Sequence, residues 1–239
     1  RQMQMRLLKK AKQCPIKKRT PGLAASEPLP TFATTTAGAR RPGRLLTNTA
    51  MNSSTTTLRP LLTGRLSGTG VKLLAAQLRR DDAGKAALFA LLNDADKRVA
   101  DNAAWLLSHI AGRGDAFFDT PRRHILRTAA MRTGDDTLRR LLLTVLYAVG
   151  SDPAETEPAV DFLDFCLAGV ASTLPAGTRA LCLKLALRIC LPYPELRTEL
   201  RMVMAQAEDG EVPPALAATL RAARRQLKQQ RYRRTRPGR

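Results

Sequence analysis

Three long apolar stretches in this chain open at Asp96, Asp135 and Gly177, 39 and 42 residues apart, and each follows a more amphipathic partner. A recurrence of that length, carried by helical periodicity, points to stacked helix pairs. One such pair cannot bury its own apolar face, so its neighbours in the stack must cover it. Residues 94–111 show the pattern best. Val99, Ala103, Leu106 and Ile110 recur at four, three and four residues and line one face of a helix. Ala100, Ala104, Leu107 and Ala111 widen that face well beyond a surface stripe. Asp94 and Asp96 suit the positive end of the helix dipole, and Gly112 and Gly114 follow its end. The stretch is expected to be an inner helix covered on two sides, with Trp105 as a buried anchor.

The rest of the folded region reads the same way. Helices are expected over 71–80, 81–93, 120–132, 135–149, 156–171, 178–190, 192–209 and from Pro214 onward, separated by short Gly, Pro and Asp connectors. Thr120 and Pro121 look like a cap followed by proline in the first turn. Aromatic residues make up only 4% of the chain, and β-branched residues never alternate with polar ones for long. The class is all-α. No apolar run reaches the length of about 18 residues that a membrane span needs.

The net charge of +20 suggests nucleic acid until its location is considered. Residues 1–70 carry 13 Lys and Arg against one acid, Glu27. Residues 71–220 carry 18 against 19, and residues 221–239 carry nine against none. The folded part is therefore close to neutral, and the excess sits on the two ends. Residues 1–66 read as a disordered basic extension, since Pro15, Pro21, Pro28, Pro30 and Pro42 break a background rich in Thr, Ala and Arg. Three readings of it stand: an organelle leader, a basic arm for nucleic acid or an acidic partner, and an upstream extension with Met51 as the true start. Residues 67–229 are the expected repeat domain, and 230–239 a basic tail.

The acidic-basic-Val opening of 96–110, followed by paired alanines and a bulky residue, resembles the second helix of a HEAT repeat. Over residues 71–229 the layout resembles small bacterial HEAT-like, armadillo-type repeat proteins, with PELRTEL at 194–200 and the closing helix from Pro214 to Leu227 similar to that family's end pattern. The resemblance implies a right-handed α-α superhelix of about four helix pairs. It also implies a cytoplasmic, non-enzymatic module that docks another protein on its concave surface. It carries no catalytic residues.

The chemistry-bearing residues agree. His109 and His124 lie in different helices, and neither stands one turn from another ligand type. Cys14, Cys166, Cys182 and Cys190 offer no close zinc spacing. Cys182 and Cys190 share one helix, too far apart for a disulfide, and Cys166 can approach one of them; free buried thiols are expected. The glycine turn Ser67 to Gly70 is an anion-site candidate on the strength of its bare amides. No phosphate-binding or nucleophile-elbow motif is present. Neither a cofactor nor a metal is therefore expected. One basic set remains inside the domain: Arg122, Arg123, Arg127, Arg132, Arg139 and Arg140, opposed only by Asp135 and Asp136. If presented together, these guanidinium groups would face phosphates or an acidic partner. Some HEAT-like repeat proteins are DNA glycosylases with a basic concave face, so nucleic-acid binding is the alternative function. The chain's single Trp and three Tyr are a poor supply for the aromatic pocket that such enzymes need.

Overall fold

A computed structural model describes residues 48–150, 159–209 and 211–235, with side chains described between Thr55 and Gln229 in those ranges. The described residues all fall within one compact unit, Arg44–Arg239, and residues 1–43 lie wholly outside them. Most of the expected extension, the expected helix start at 156 and the final four residues also lie outside them.

Ten helices are described: α1 (Asn48–Leu62), α2 (Gly68–Leu78), α3 (Asp82–Leu91), α4 (Lys97–Ile110), α5 (Thr120–Arg132), α6 (Asp136–Val149), α7 (Val160–Ala171), α8 (Ala176–Cys190), α9 (Pro194–Gln206) and α10 (Pro214–Thr235). There is no strand among the described residues. Helices α4, α6, α8 and α10 begin 39, 40 and 38 residues apart, which is the recurrence seen in the sequence. The contacts turn that period into layers. Helices α2, α4, α6, α8 and α10 touch in succession, each packing on the next. On the other side α1 packs on α3, α5 on α7, and α7 on α9. The arrangement is an α-α solenoid, with even-numbered helices in one layer and odd-numbered helices in the other.

Side-chain caps set the starts of α2 to α6. Asp81, Asp96 and Asp135 accept from the backbone N–H groups of Ala83, Arg98 and Thr137 at 3.0, 2.9 and 2.8 Å. Asp94 turns out not to cap α4. At the start of α5 the cap is Asp119, which accepts from the Arg122 N–H at 3.1 Å, so Pro121 sits one place further in than expected. Ser67 caps α2 through the Gly70 N–H at 3.0 Å, which uses an amide of the glycine turn for the helix itself. Helix α6 ends at Gly150, whose φ of 88° belongs to the left-handed region that favours glycine. Gly169 on α7 has a different role: a Cβ there would lie 2.8 Å from Cys182 Sγ on α8. Its missing side chain sets the close approach of these two helices.

Helix α4 is as central as its pattern predicts, packing on α1, α2, α3 and α6. Val99, Ala103, Ala104, Leu106 and Leu107 are wholly buried. The loop between α4 and α5 fills the layer beside α3 and α5. Phe117 and Phe118 in that loop are buried. The Phe117 ring meets Phe89 of α3 edge-on at 6.3 Å, and the Arg122 guanidinium of α5 lies 4.3 Å above it. Buried Lys85 of α3 joins the same cluster through Asp115, at 2.9 Å, and Asp82, at 3.1 Å. Burial alone would lower the Lys85 pKa, but hydrogen bonds to Asp115 and Asp82 outweigh it and raise the value.

Helix α1 departs from the reading of residues 1–66 as an extension. Its Thr55, Thr56 and Thr57 are weak helix formers, and Pro60 sits inside it. Remote partners override that propensity. Leu58 and Leu62 are buried in the core, and Arg59 forms a two-pronged ion pair with Asp94 at 2.8 and 3.0 Å. Asn102 of α4 donates to the Leu62 and Gly64 carbonyls at 2.8 and 3.1 Å, satisfying the end of α1. At the other terminus α10 runs on to Thr235, because Arg, Gln and Lys are good helix formers and no Gly or Pro intervenes before Pro237.

These ion pairs predict an acid response. The Arg59 hydrogen bond and the Asp96 N–H hold Asp94 below its usual pKa, and Lys97 does the same for Asp135. A depressed carboxylate pKa stabilises the fold above the unfolded value of about 3.9, and that stability disappears as pH falls through the folded value. The urea midpoint should therefore fall below about pH 4. In an Asp94→Asn, Asp135→Asn variant the fall should be shallower, since neither side chain then titrates, and asparagine in place of Asp135 can still cap α6. Identical pH profiles for the two proteins would show that neither pair couples to folding.

Candidate functional site

The even-numbered helices present two adjoining grooves, one on each side of a polar stripe on α6. That stripe consists of Arg140, Thr144 and Tyr147, spaced four and three residues apart on α6. The buried residues Leu142, Leu143, Val145 and Leu146 fix the opposite side of α6 in the core, so the stripe must face outward.

The first groove, about 330 Å³, lies between α4 and α6 and is lined by Asp101, Trp105 and Ser108 from one helix and Thr137, Arg140 and Thr144 from the other. Trp105 is only partly buried: it packs against the core on one side and borders this groove on the other, with its ring 6.2 Å from that of exposed His109. The expectation of a fully buried anchor is corrected accordingly. A bulky ring at a position bounded by small residues cannot fit wholly beneath the neighbouring helix.

The second groove, about 470 Å³, lies between α6, α8 and α10. Tyr147 stands over it with two cations stacked on its ring: Arg188 Cζ is 4.4 Å from the centroid and Lys184 Nζ 5.5 Å. Arg188 also donates to the Tyr147 carbonyl at 2.9 Å, so this guanidinium is held in place. Arg113, from the loop after α4, completes the basic edge and lies against Gly150. Leu187, Leu191 and Ala222 form the apolar floor.

The six arginines singled out in the sequence do not share one surface. Arg123 is buried and donates to the Phe118 carbonyl at 2.6 Å and the Gly150 carbonyl at 2.8 Å. Arg122 holds the Phe117 carbonyl at 2.9 Å and Asp119 at 3.0 Å. Arg127 stacks on Phe162 of α7 at 5.6 Å, and Arg139 is engaged with Asp136 and the Thr133 carbonyl. Only Arg132 and Arg140 are exposed, and of these Arg140 borders a groove. Neighbours in sequence are separated by about 100° around a helix, so adjacent arginines take up different duties. The grooves went unseen because Arg113, Tyr147, Lys184 and Arg188 come from three separate elements. The available signal was the Arg140, Thr144, Tyr147 stripe together with Lys184 and Arg188 one turn apart.

The cysteines on α7 and α8 form a buried cluster of free thiols. A hydrogen bond links Cys166 to Cys182 across the two helices. Burial raises the Cys166 pKa well above normal, the hydrogen bond from Cys166 lowers that of Cys182, and burial pushes Cys190 up to about 12. No three His, Cys, Asp or Glu side chains among the described residues are grouped to hold a metal ion. No helix among them is long and apolar enough to cross a membrane.

Comparison with known proteins supplies one match. Neither a curated protein nor a solved structure matches the chain. A family model described as HEAT repeat domain matches residues 58–229, from the last turn of α1 into the exposed part of α10. That span contains helices α2 to α9, parts of α1 and α10, and the whole of both grooves, and the chain belongs to the HEAT repeat domain family.

Proposed function

We propose that the protein is a non-enzymatic scaffold that docks another protein on the face of its even-numbered helices. The observation that carries this reading is the pair of adjoining grooves along the α6 stripe, where aromatic, apolar and charged side chains meet. The odd-numbered helices differ: Leu61, Ile125, Val160 and Met202 are exposed one to a helix, as on ordinary protein surfaces. The buried free thiols suit a reducing compartment, which supports a cytoplasmic setting. Binding of nucleic acid is the competing function, with Arg132, Arg140, Arg221, Arg225 and Lys228 among the exposed cations of the described residues.

A cross-linking pull-down with the full chain tests the proposal. The comparison is between Thr144→Arg with Ala222→Arg, which fills the two grooves, and Ile125→Arg with Met202→Arg on the other layer. Capture of a protein partner should fall at least about tenfold in the first variant and stay near wild type in the second. Equal capture by both variants, or capture abolished by nuclease, would refute it.

A further inference from the structure

We infer that the groove between α6, α8 and α10 takes an acidic protein segment carrying an apolar side chain between its carboxylates. The inference rests on the scaffold reading and specifies the chemistry of the partner.

Charge is the first argument. Several basic side chains elsewhere in the described fold pair with acids: Arg59 with Asp94, Arg122 with Asp119, Arg139 with Asp136, and Arg224 with Glu208. At this groove Lys184 and Arg188 stack on Tyr147, Arg113 lines the same groove, and the lining contains no carboxylate. Burial lowers the Arg188 pKa, Tyr147 opposes that shift, and the positive charges of Arg113 and Arg123 add to it. The other groove has no such excess, since Arg140 shares it with Asp101. An incoming carboxylate would relieve the repulsion and find guanidinium donors already positioned.

The floor is the second argument. Leu187, Leu191 and Ala222 offer an apolar base between the cations. A phosphate backbone would satisfy the charges and leave that base unused, whereas a Leu or Phe flanked by Asp or Glu would use both.

Selection from a displayed library of random 16-residue peptides on the full chain provides the test. Peptides rich in Asp and Glu with at least one large apolar residue should be enriched. The best of them should lose at least about tenfold in affinity on Lys184→Glu with Arg113→Glu, both exposed positions whose folding circular dichroism can verify. It should lose less than about threefold on Arg225→Glu with Lys228→Glu, the same change of charge on α10 outside the groove. Replacing the acids of the peptide by Asn and Gln should abolish binding.

Several results would overturn the inference. Enriched peptides without excess acid that still depend on Thr144 and Ala222 would sink it and leave the scaffold reading standing; no enrichment at all would sink both. A 20-base-pair duplex that displaces the peptide and loses its own affinity on Lys184→Glu with Arg113→Glu would make the groove a nucleic-acid site. A tenfold rise in peptide affinity on replacing Asp152, Glu155 and Glu157 by Ser would assign the groove to the chain's own acidic run instead; the expected effect is none.

Discussion

Leu106→Ala should destabilise the protein by about 3–5 kcal/mol, the upper part of the range for truncating a buried leucine. Leu106 is wholly buried on α4, the helix that packs on α1, α2, α3 and α6. A cavity closes cheaply only where a neighbour can move into it, and here four helices hold the walls. With a urea dependence of about 2 kcal/mol per molar, the midpoint should fall by about 2 M. The effect should also spread. Each repeat is stabilised by its neighbours, so weakening α4 exposes the contacts of α2 and α6 to hydrogen exchange before those of α9 and α10. A shift under about 1 kcal/mol, or uniform loss of protection along the chain, would show that α4 does not occupy the centre of the stack.

Arg123→Ala should cost about 2–4 kcal/mol, from hydrogen bonds by a charged group to two carbonyls that become hard to satisfy. The guanidinium is buried and ties α5 both to the Phe118 carbonyl just before it and to the Gly150 carbonyl, 27 residues on, at the end of α6. Its fork matches that geometry. Lysine carries the charge on a single point and cannot bridge both carbonyls in the same way, so Arg123→Lys should recover no more than about half of the loss. Arg132→Ala, at an exposed position, should change stability by less than about 0.5 kcal/mol. Thermal unfolding of the three variants orders the effects. Wild-type stability in Arg123→Ala would mean that this side chain is a surface cation after all.

Much of the architecture was legible because it depends on local order. Val99, Ala103, Leu106 and Ile110 predict the buried face of α4 without reference to any other helix, and Asp96 and Asp135 mark helix starts through bonds to amides two residues on. Helix α1 was not legible for the opposite reason. Local propensity argues against it, and the residues that hold it, Asp94 and Asn102, lie 35 and 40 positions away from their partners. Interaction surfaces are harder still. Arg122 and Arg123 form a basic pair in sequence, yet one covers Phe117 and the other is buried beneath the loop. Tyr147, Lys184 and Arg188 form a site only after α6 and α8 have packed together.

Dipolar electron paramagnetic resonance between spin labels on α4, α6 and α8 tests the layered stack most directly. Labels at Ser108, Thr144 and Lys184 occupy the face of three successive even-numbered helices. Packed helices lie about 8–10 Å apart, so the two neighbouring pairs should give similar short separations, and the Ser108 to Lys184 pair should be longer than either by about one further helix spacing. Three comparable separations, or a Ser108 to Lys184 distance shorter than the other two, would place the helices in a closed bundle and contradict the solenoid.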